Sequence, residues 1–87
     1  MKLQVYSVYD HKTEVFHAPN YFHNDGHALR ELSMVLGKPN TAFTQYPEDF
    51  SIYQVGTFED SKGLLQPQEP VRLVSSVTAL INSLTEG

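Results

Sequence analysis

The order in which apolar segments follow one another constrains the fold of this chain more than any other feature of its sequence. Residues 3–9 and residues 13–17 are rich in β-branched and aromatic side chains, and a short polar segment, Asp10-His11-Lys12, separates them. Such runs on either side of a turn are typical of a β-hairpin, in which an Asp side chain commonly accepts hydrogen bonds from the backbone of the turn. This part of the sequence therefore predicts a hairpin.

The segment that follows has the periodicity of a helix. Between residues 25 and 36, apolar side chains recur three or four residues apart, at Ala28, Leu29, Leu32, Val35 and Leu36. Asn24 or Asp25 is the expected N-cap, and Gly37 is expected to adopt the left-handed conformation that ends many helices. We predict a helix over residues 25–36.

The second half of the chain repeats this order after a connector over residues 38–49. The predicted elements are a third strand over residues 50–58, a turn over residues 59–63, and a short fourth strand that begins at Leu64 and that Pro67 closes. Pro70 fits the first turn of a helix, where its missing N–H is not needed. Apolar residues at helical spacing extend this predicted helix to about Leu84, namely Leu73, Val74, Val77, Leu80, Ile81 and Leu84.

The predicted fold is therefore a single α+β domain over residues 1–87, with the order ββα followed by ββα. Its most economical arrangement is a mainly antiparallel sheet with both helices packed on one face. A shift of fifty residues aligns Asp10 with Asp60 and Lys12 with Lys62. The segments 1–37 and 50–87 are therefore either an internal duplication or two hairpins with similar turns.

The strands carry apolar side chains on both faces. Tyr6 and Val8 alternate with Val5 and Tyr9 in the first strand, so neither face of the sheet is purely polar. A small monomer rarely exposes a contiguous aromatic patch. We therefore expect a homo-oligomer in which a second chain covers the face without helices.

Size and composition narrow the range of functions. A chain of 87 residues buries only about 60–65% of its unfolded surface, which leaves little room for a deep active-site cleft. The absence of cysteine excludes disulfide scaffolds, zinc ribbons and thiol nucleophiles. No segment resembles a secretory leader or reaches the roughly 18 apolar residues of a membrane span. We expect a soluble, intracellular protein that does not interact with membranes.

The charge is unevenly distributed. Residues 1–43 hold four basic and four acidic side chains together with all four histidines, whereas residues 44–87 hold two basic and six acidic side chains and carry the whole net charge of −4. Nucleic-acid binding depends strongly on Lys and Arg at phosphates, so any bound DNA is expected on the first half. The acidic half either docks a basic protein or simply aids solubility.

Candidate reactive groups are few. His17, His23 and His27 lie within eleven residues, but their spacing does not require them to share a helical face. The sequence favours a loop of solvated histidines, with His27 near Glu31, over a metal site. The pairs Glu48-Asp49 and Glu59-Asp60 could supply carboxylates, yet neighbouring residues in extended chain point apart. No phosphate-binding loop, serine elbow or nucleophile–base pair is present. The sequence predicts a protein without enzymatic activity, metal or cofactor.

Basic and aromatic residues around the first helix form a candidate platform for single-stranded nucleic acid. Exposed rings stack on bases while cations contact phosphates. The candidate residues are Lys2, Lys12, Tyr21, His23, Arg30 and Lys38, with Phe22 beside them. The competing interpretation is that Tyr21 and Phe22 pack onto the helix that follows them.

Several segments resemble the small nonstructural protein of gokushovirus-type microviruses, which are tailless phages with single-stranded circular DNA. The likeness covers about residues 1–65. It rests on the opening Met1-Lys2-Leu3-Gln4-Val5-Tyr6-Ser7-Val8-Tyr9-Asp10 with Lys12, on Gly26-His27-Ala28-Leu29-Arg30, on Tyr46-Pro47-Glu48-Asp49-Phe50, and on Val55-Gly56-Thr57-Phe58-Glu59-Asp60 with Gly63.

The resemblance implies a nonstructural role in viral DNA replication in the host bacterial cytoplasm, favouring the switch to packaging-linked single-strand synthesis. It implies contact with DNA, with the phage replication initiator or with the capsid precursor. Two hypotheses follow. The first is a factor that binds single-stranded DNA through its first half, with strong salt dependence. The second is an adaptor whose acidic residues, Glu48, Asp49, Glu59 and Asp60, dock a basic replication or packaging protein without binding DNA.

Overall fold

The computed structural model describes the backbone of residues 1–86 and the side chains of residues 1–84. Its elements in chain order are β1 (Lys2–Asp10), β2 (Val15–Phe16), β3 (Asn20–Phe22), α1 (Asp25–Leu36), α2 (Ala42–Gln45), β4 (Phe50–Glu59), β5 (Leu64–Ser76) and α3 (Val77–Glu86). The fold is mixed α+β, as the sequence predicts. The ββα–ββα order is not observed, because a third short strand precedes α1, and α2 and a 3-10 turn over Pro47–Asp49 lie in the predicted connector.

The strands form one antiparallel sheet in the order β2-β1-β4-β5. β1 and β4 pair along their whole length, from Lys2 opposite Glu59 to Asp10 opposite Phe50. The short strands β2 and β3 both pair with the other edge of β1. The register shifts in the β1–β4 and β4–β5 pairs, and such irregularities bend and twist strands. The sheet is therefore curled.

The core lies between one face of the sheet and the helices. A single cluster of buried side chains joins β1, β4, α1 and α3, and consists of Tyr6, Val8, Ala28, Leu32, Leu36, Phe50, Ile52, Val77 and Leu80. Phe43 of α2 packs against the same cluster. The alternate residues of β1, including Ser7 and Tyr9, point to the opposite side of the sheet. We call that side the helix-free face.

The first long helix has the predicted bounds, and local hydrogen bonds explain its start. The side chain of Asn24 accepts a hydrogen bond from the His27 N–H at 2.8 Å, as expected of an N-cap. The prediction that Gly37 adopts the left-handed conformation is wrong, since its φ of −84° and ψ of 0° are right-handed. Glycine is needed there for space instead: a Cβ would lie 2.7 Å from the Ser33 carbonyl oxygen and 2.9 Å from Leu84.

The prediction for the last third of the chain is wrong in its boundaries. β5 does not end at Pro67 but continues to Ser76, and α3 begins at Val77 rather than Pro70. Long-range pairing determines this, because Leu73 lies opposite Tyr53 of β4. An edge strand tolerates prolines, whose missing N–H groups would interrupt a central strand. The hydroxyl of Ser76 then caps α3 by accepting a hydrogen bond from the Ala79 N–H at 3.1 Å.

None of the described helices has the length and apolar character needed to span a membrane.

Candidate nucleic-acid interface

Three strands bring aromatic side chains together on the helix-free face. Tyr9 of β1 lies directly opposite Phe16 of β2, and their ring centroids are 4.6 Å apart. Tyr53 of β4 contacts both rings, at 6.1 Å from Tyr9 and 5.8 Å from Phe16. The imidazole of His11 meets Tyr9 edge-on at 4.9 Å. We call Tyr9, His11, Phe16 and Tyr53 the aromatic cluster.

The aromatic cluster is partly open to solvent: His11 and Phe16 are exposed, and Tyr9 and Tyr53 are half-buried. Phe16 is 40% exposed although it touches two other rings, and Leu73, which lies opposite Tyr53 on β5, is 58% exposed. Aromatic faces that remain accessible on a sheet can stack on nucleobases irrespective of sequence. This cluster is therefore a surface suited to that type of contact.

A hydrogen bond orients His11 beside the cluster. Its Nε2 lies 3.0 Å from the Ser51 hydroxyl, and its backbone N–H donates to the Asp49 carbonyl oxygen at 2.8 Å. The sequence does not predict this serine–histidine contact, because forty residues separate the two side chains. Ser51 is buried in β4. The contact therefore holds the imidazole in place and does not present an accessible nucleophile.

The turn between β1 and β2 places a lysine next to the aromatic cluster. Asp10 accepts hydrogen bonds from the backbone N–H groups of Lys12 and Thr13 at 2.9 and 3.4 Å, as the sequence predicts. These hydrogen bonds lower the pKa of Asp10, and the bond from Lys12 has the largest effect. Glu14 follows with a left-handed φ of 61°, which closes the turn before β2. Lys12 is exposed in this turn, directly after His11.

A pocket lies farther along the same face. It has a volume of about 310 Å³ and is lined by Val5, Pro19, Tyr21, Val55, Gly56 and Pro67, with Leu65 and Gln66 at its side. Tyr21 lies opposite Val5 in the β1–β3 pair, and its ring meets Phe58 edge-on at 5.8 Å. The pocket is thus mainly apolar, with one aromatic wall.

On the helix side of the sheet, a polar network joins α1 to β4 and β5. Asp25 accepts hydrogen bonds from the Tyr6 hydroxyl and from Arg72 Nη2, both at 2.7 Å. Arg72 Nε donates to Gln54 Oε1 at 2.8 Å, and Gln54 Nε2 donates to Gln4 Oε1 at 2.5 Å. The bond from Arg72 is the main cause of the lowered pKa of Asp25. Arg72 is therefore paired within the fold, which the sequence does not predict.

Comparison with protein families identifies the chain at a general level. The model of the family described as phage ORF5 protein matches residues 3–80. The chain belongs to the phage ORF5 protein family. No curated protein and no solved structure matched it. Family membership supports the phage origin implied by the resemblance.

The basic candidates in this member of the phage ORF5 family do not form one patch. Lys2 begins β1, whereas Lys12 lies in the turn beyond the other end of this strand, which spans about 26 Å when extended. Arg30 is exposed on α1 and Lys38 follows that helix, so both lie on the helix side of the sheet. Among the basic candidates, Lys12 is the one next to the aromatic cluster.

The aromatic and histidine candidates are also separated. Phe22 packs against the core and meets His27 edge-on at 5.2 Å, as expected if it packs onto the helix, whereas Tyr21 lies on the helix-free face. The rings of His23 and His27 stack at 5.3 Å, and His27 Nε2 lies 3.7 Å from Glu31, as the sequence suggests. No group of three or more His, Cys, Asp or Glu side chains among the described residues could hold a metal ion.

The acidic candidates divide between the two ends of β4. Glu48 and Asp49 lie in the 3-10 turn that precedes this strand. Glu59 ends the strand and Asp60 follows it, so this pair is about 30 Å from the first pair, the length of ten residues of extended chain. The carboxylates of Glu59 and Asp60 contact the nitrogen of Met1 at 2.9 and 2.7 Å. The four carboxylates therefore do not form one continuous surface.

Proposed function

We propose that this phage protein is a non-enzymatic accessory factor in viral DNA replication, active in the host cytoplasm, and that it binds single-stranded DNA on its helix-free face. The aromatic cluster carries the proposal, because bases of any sequence can stack on Phe16 and Tyr53 while Lys12 contacts a phosphate. The resemblance to the nonstructural protein of gokushovirus-type microviruses supports the replication role.

The placement of charges affects how such binding would depend on salt. Single-stranded DNA binding loses affinity with a slope of about −0.7 in log salt concentration for each phosphate contacted. Because Lys12 is separated from the other basic candidates, one or two phosphate contacts are expected for each chain. We therefore expect a shallow salt dependence instead of the strong one that a cluster of all four candidate Lys and Arg residues would produce.

Fluorescence anisotropy of a labelled single-stranded oligonucleotide at two salt concentrations tests the proposal. Phe16→Ala should weaken binding by about fivefold or more, the contribution of one stacked base. Tyr46→Ala is the matched control, because Tyr46 is an exposed aromatic residue outside the sheet. Lys12→Glu should weaken binding several-fold, whereas Lys38→Glu, with the same change in charge on the helix side, should leave it nearly unchanged.

A flat titration of the wild-type protein at low salt would contradict DNA binding. Binding that is weakened equally by Lys12→Glu and Lys38→Glu would contradict the assignment to the helix-free face. In the first case the adaptor hypothesis is the one to pursue, by pull-down with the phage replication initiator and the basic packaging protein. Its acidic residues are divided between two ends of the sheet, so no single docking surface supports it at present.

A further inference from the structure

The pocket beside Tyr21 is formed by an irregularity in strand pairing. The register of β4 and β5 shifts between Gln54 and Gly56, where four residues of β5 bridge the interval between the partners Pro67 and Arg72. Gly56 lies opposite Val5, and the Gln66 carbonyl oxygen of β5 occupies the position that a Cβ of residue 56 would take. Beyond this close approach the pairing of β4 with β5 is interrupted, and a concave site lies among Val5, Tyr21 and Pro67. We call it the Tyr21 pocket.

The lining of the Tyr21 pocket suits a flat, partly apolar ring. Tyr21 is 43% exposed, so one part of its ring is accessible while Phe58 supports it from the side. Pro19 and Pro67 add rigid apolar surfaces without N–H groups, and Val5 and Val55 add aliphatic ones. The volume of about 310 Å³ accommodates a single nucleobase, and the open side leaves its polar edge and its sugar in water.

The Tyr21 pocket and the aromatic cluster share strand β1. Val5 lines the pocket and Tyr9 belongs to the cluster, and both point to the helix-free face. Four residues of extended chain separate them, which corresponds to about 13 Å. A single DNA strand that crosses the sheet can therefore reach both sites.

We propose that the Tyr21 pocket binds a nucleobase of the same DNA strand whose neighbouring bases stack on the aromatic cluster. This inference rests on the proposed function and adds a second, independent contact site to it. The base stacks on Tyr21 and lies between the two prolines. Recognition at this site is through shape and stacking, so every base is accepted.

Nuclear magnetic resonance can distinguish the two sites in a protein of this size. The wild-type protein is titrated with an oligothymidylate of about twelve nucleotides, within the usual range for small single-strand binding domains. Amide signals of Val55, Gly56 and Gln66 report on the pocket. Those of Tyr9, Phe16 and Tyr53 report on the aromatic cluster. We expect both groups to shift with the same apparent affinity.

Substitutions of Tyr21 test the role of its ring. Tyr21→Ala should weaken oligothymidylate binding by about fivefold or more, the effect of losing one stacked base. Tyr21→Phe keeps the ring and should bind within about twofold of the wild type, as should Tyr46→Ala. The spectrum of each free variant shows whether it is folded. If Tyr21→Ala is unfolded, the shifts of the Val55, Gly56 and Gln66 signals in the wild-type titration decide the matter.

The outcomes separate this inference from the proposed function. Shifts confined to the aromatic cluster, with unchanged affinity of Tyr21→Ala, would overturn the pocket assignment and leave DNA binding intact. No shift at either site would overturn both. Pocket signals that change with protein concentration but not with DNA would assign the Tyr21 pocket to contact with a second chain, and would also overturn the inference.

Discussion

Tyr6 is the residue through which the core and the polar network meet. Its ring is fully buried in the hydrophobic core, and its hydroxyl donates to Asp25 at the start of α1. A buried hydroxyl is tolerated only with a hydrogen-bond partner. The same carboxylate receives Arg72 from β5, so a single acidic side chain links the helix to two strands.

Replacing Tyr6 should change how stability responds to alkaline pH. Burial is the largest cause that raises the pKa of Tyr6 above its usual value of 10, and the hydrogen bond to Asp25 is the second. The stability that this neutral hydroxyl contributes is fully present below about pH 10 and is lost as the pH rises toward the raised folded-state pKa. We expect Tyr6→Phe to be about 1 kcal/mol less stable at neutral pH and to lose less stability above pH 10 than the wild type does.

Urea unfolding followed by circular dichroism at a series of alkaline pH values measures this difference. Tyr46→Phe is the control, since it removes an exposed hydroxyl and should behave like the wild type. Equal alkaline losses of stability in Tyr6→Phe and the wild type would contradict the expectation.

Asp25 should govern part of the response to acid. The bond from Arg72, the largest cause, and the bond from Tyr6 lower the pKa of Asp25. A lowered folded-state pKa contributes stability that is present above the unfolded value near 4 and is lost as the pH falls through the folded value. Because Asp25 is 42% exposed, solvent screening limits the effect to less than about 1 kcal/mol.

Asp25→Asn should therefore be slightly less stable than the wild type at neutral pH and nearly equal to it at about pH 2. Chemical unfolding at several acid pH values tests this, with Glu48→Gln as a control at an exposed carboxylate in a turn. A stability difference that is the same at every pH would show that charge at Asp25 is not its cause.

At the scale of elements, Gly56 should be required for the pairing of β4 with β5. A Cβ at this position would collide with the backbone carbonyl oxygen of Gln66, which cannot move without disturbing the strand. We expect Gly56→Ala to destabilise the fold by about 1–3 kcal/mol. Thermal unfolding is the measurement.

Gly26→Ala provides the matched control for this substitution. Its Cβ would lie 3.5 Å from the Asn24 side chain, an ordinary contact, and alanine is the better helix former within α1. We expect it to be neutral or stabilising by up to about 1 kcal/mol. If the two substitutions had equal effects, the close approach of the strands at Gly56 would not matter to stability.

The elements that the sequence predicts correctly are those determined by nearby residues. α1 has its cap at Asn24 and its apolar stripe within the same segment, and the first turn has Asp10 beside the backbone groups that it binds. The boundary of β5 and α3 depends on a partner strand some twenty residues away, since Leu73 and Val74 fit the spacing of either a strand or a helix. Local periodicity cannot decide between them.

At the scale of the whole molecule, the candidate site was only partly predictable for the same reason. Alternation in the first strand indicates that Tyr9 points away from Tyr6, but nothing local indicates that Phe16 and Tyr53 lie on either side of it. Their positions follow only from the strand order β2-β1-β4, which places Phe16 and Tyr53 on the two strands that flank Tyr9. Lys2 and Lys12 are separated by the length of β1, and the two acidic pairs are separated by the length of β4. Arg30 and Lys38 lie on the helix side of the sheet instead.

The homo-oligomer expected from the sequence, in which a second chain covers the helix-free face, remains a prediction. The sheet offers a different mode of association, through its free edge at β5. β5 is an edge strand with several exposed apolar side chains, Leu64, Leu65, Val71 and Leu73. Exposed edges of this kind pair readily with other strands, but Pro67 and Pro70 lack the N–H groups that pairing needs. We therefore expect two chains to pair through residues 71–76, which extends the sheet and leaves both aromatic clusters open on one face.

Light scattering at micromolar concentration measures the mass directly, and we expect that of two chains. Leu73→Lys should shift the mass to one chain, because it places like charges close together across the paired edges. Met34→Lys adds the same charge at an exposed position on α1 and should leave the dimer intact. A wild-type mass equal to one chain would contradict edge pairing, and each protein would then offer one aromatic cluster and one Lys12 to DNA.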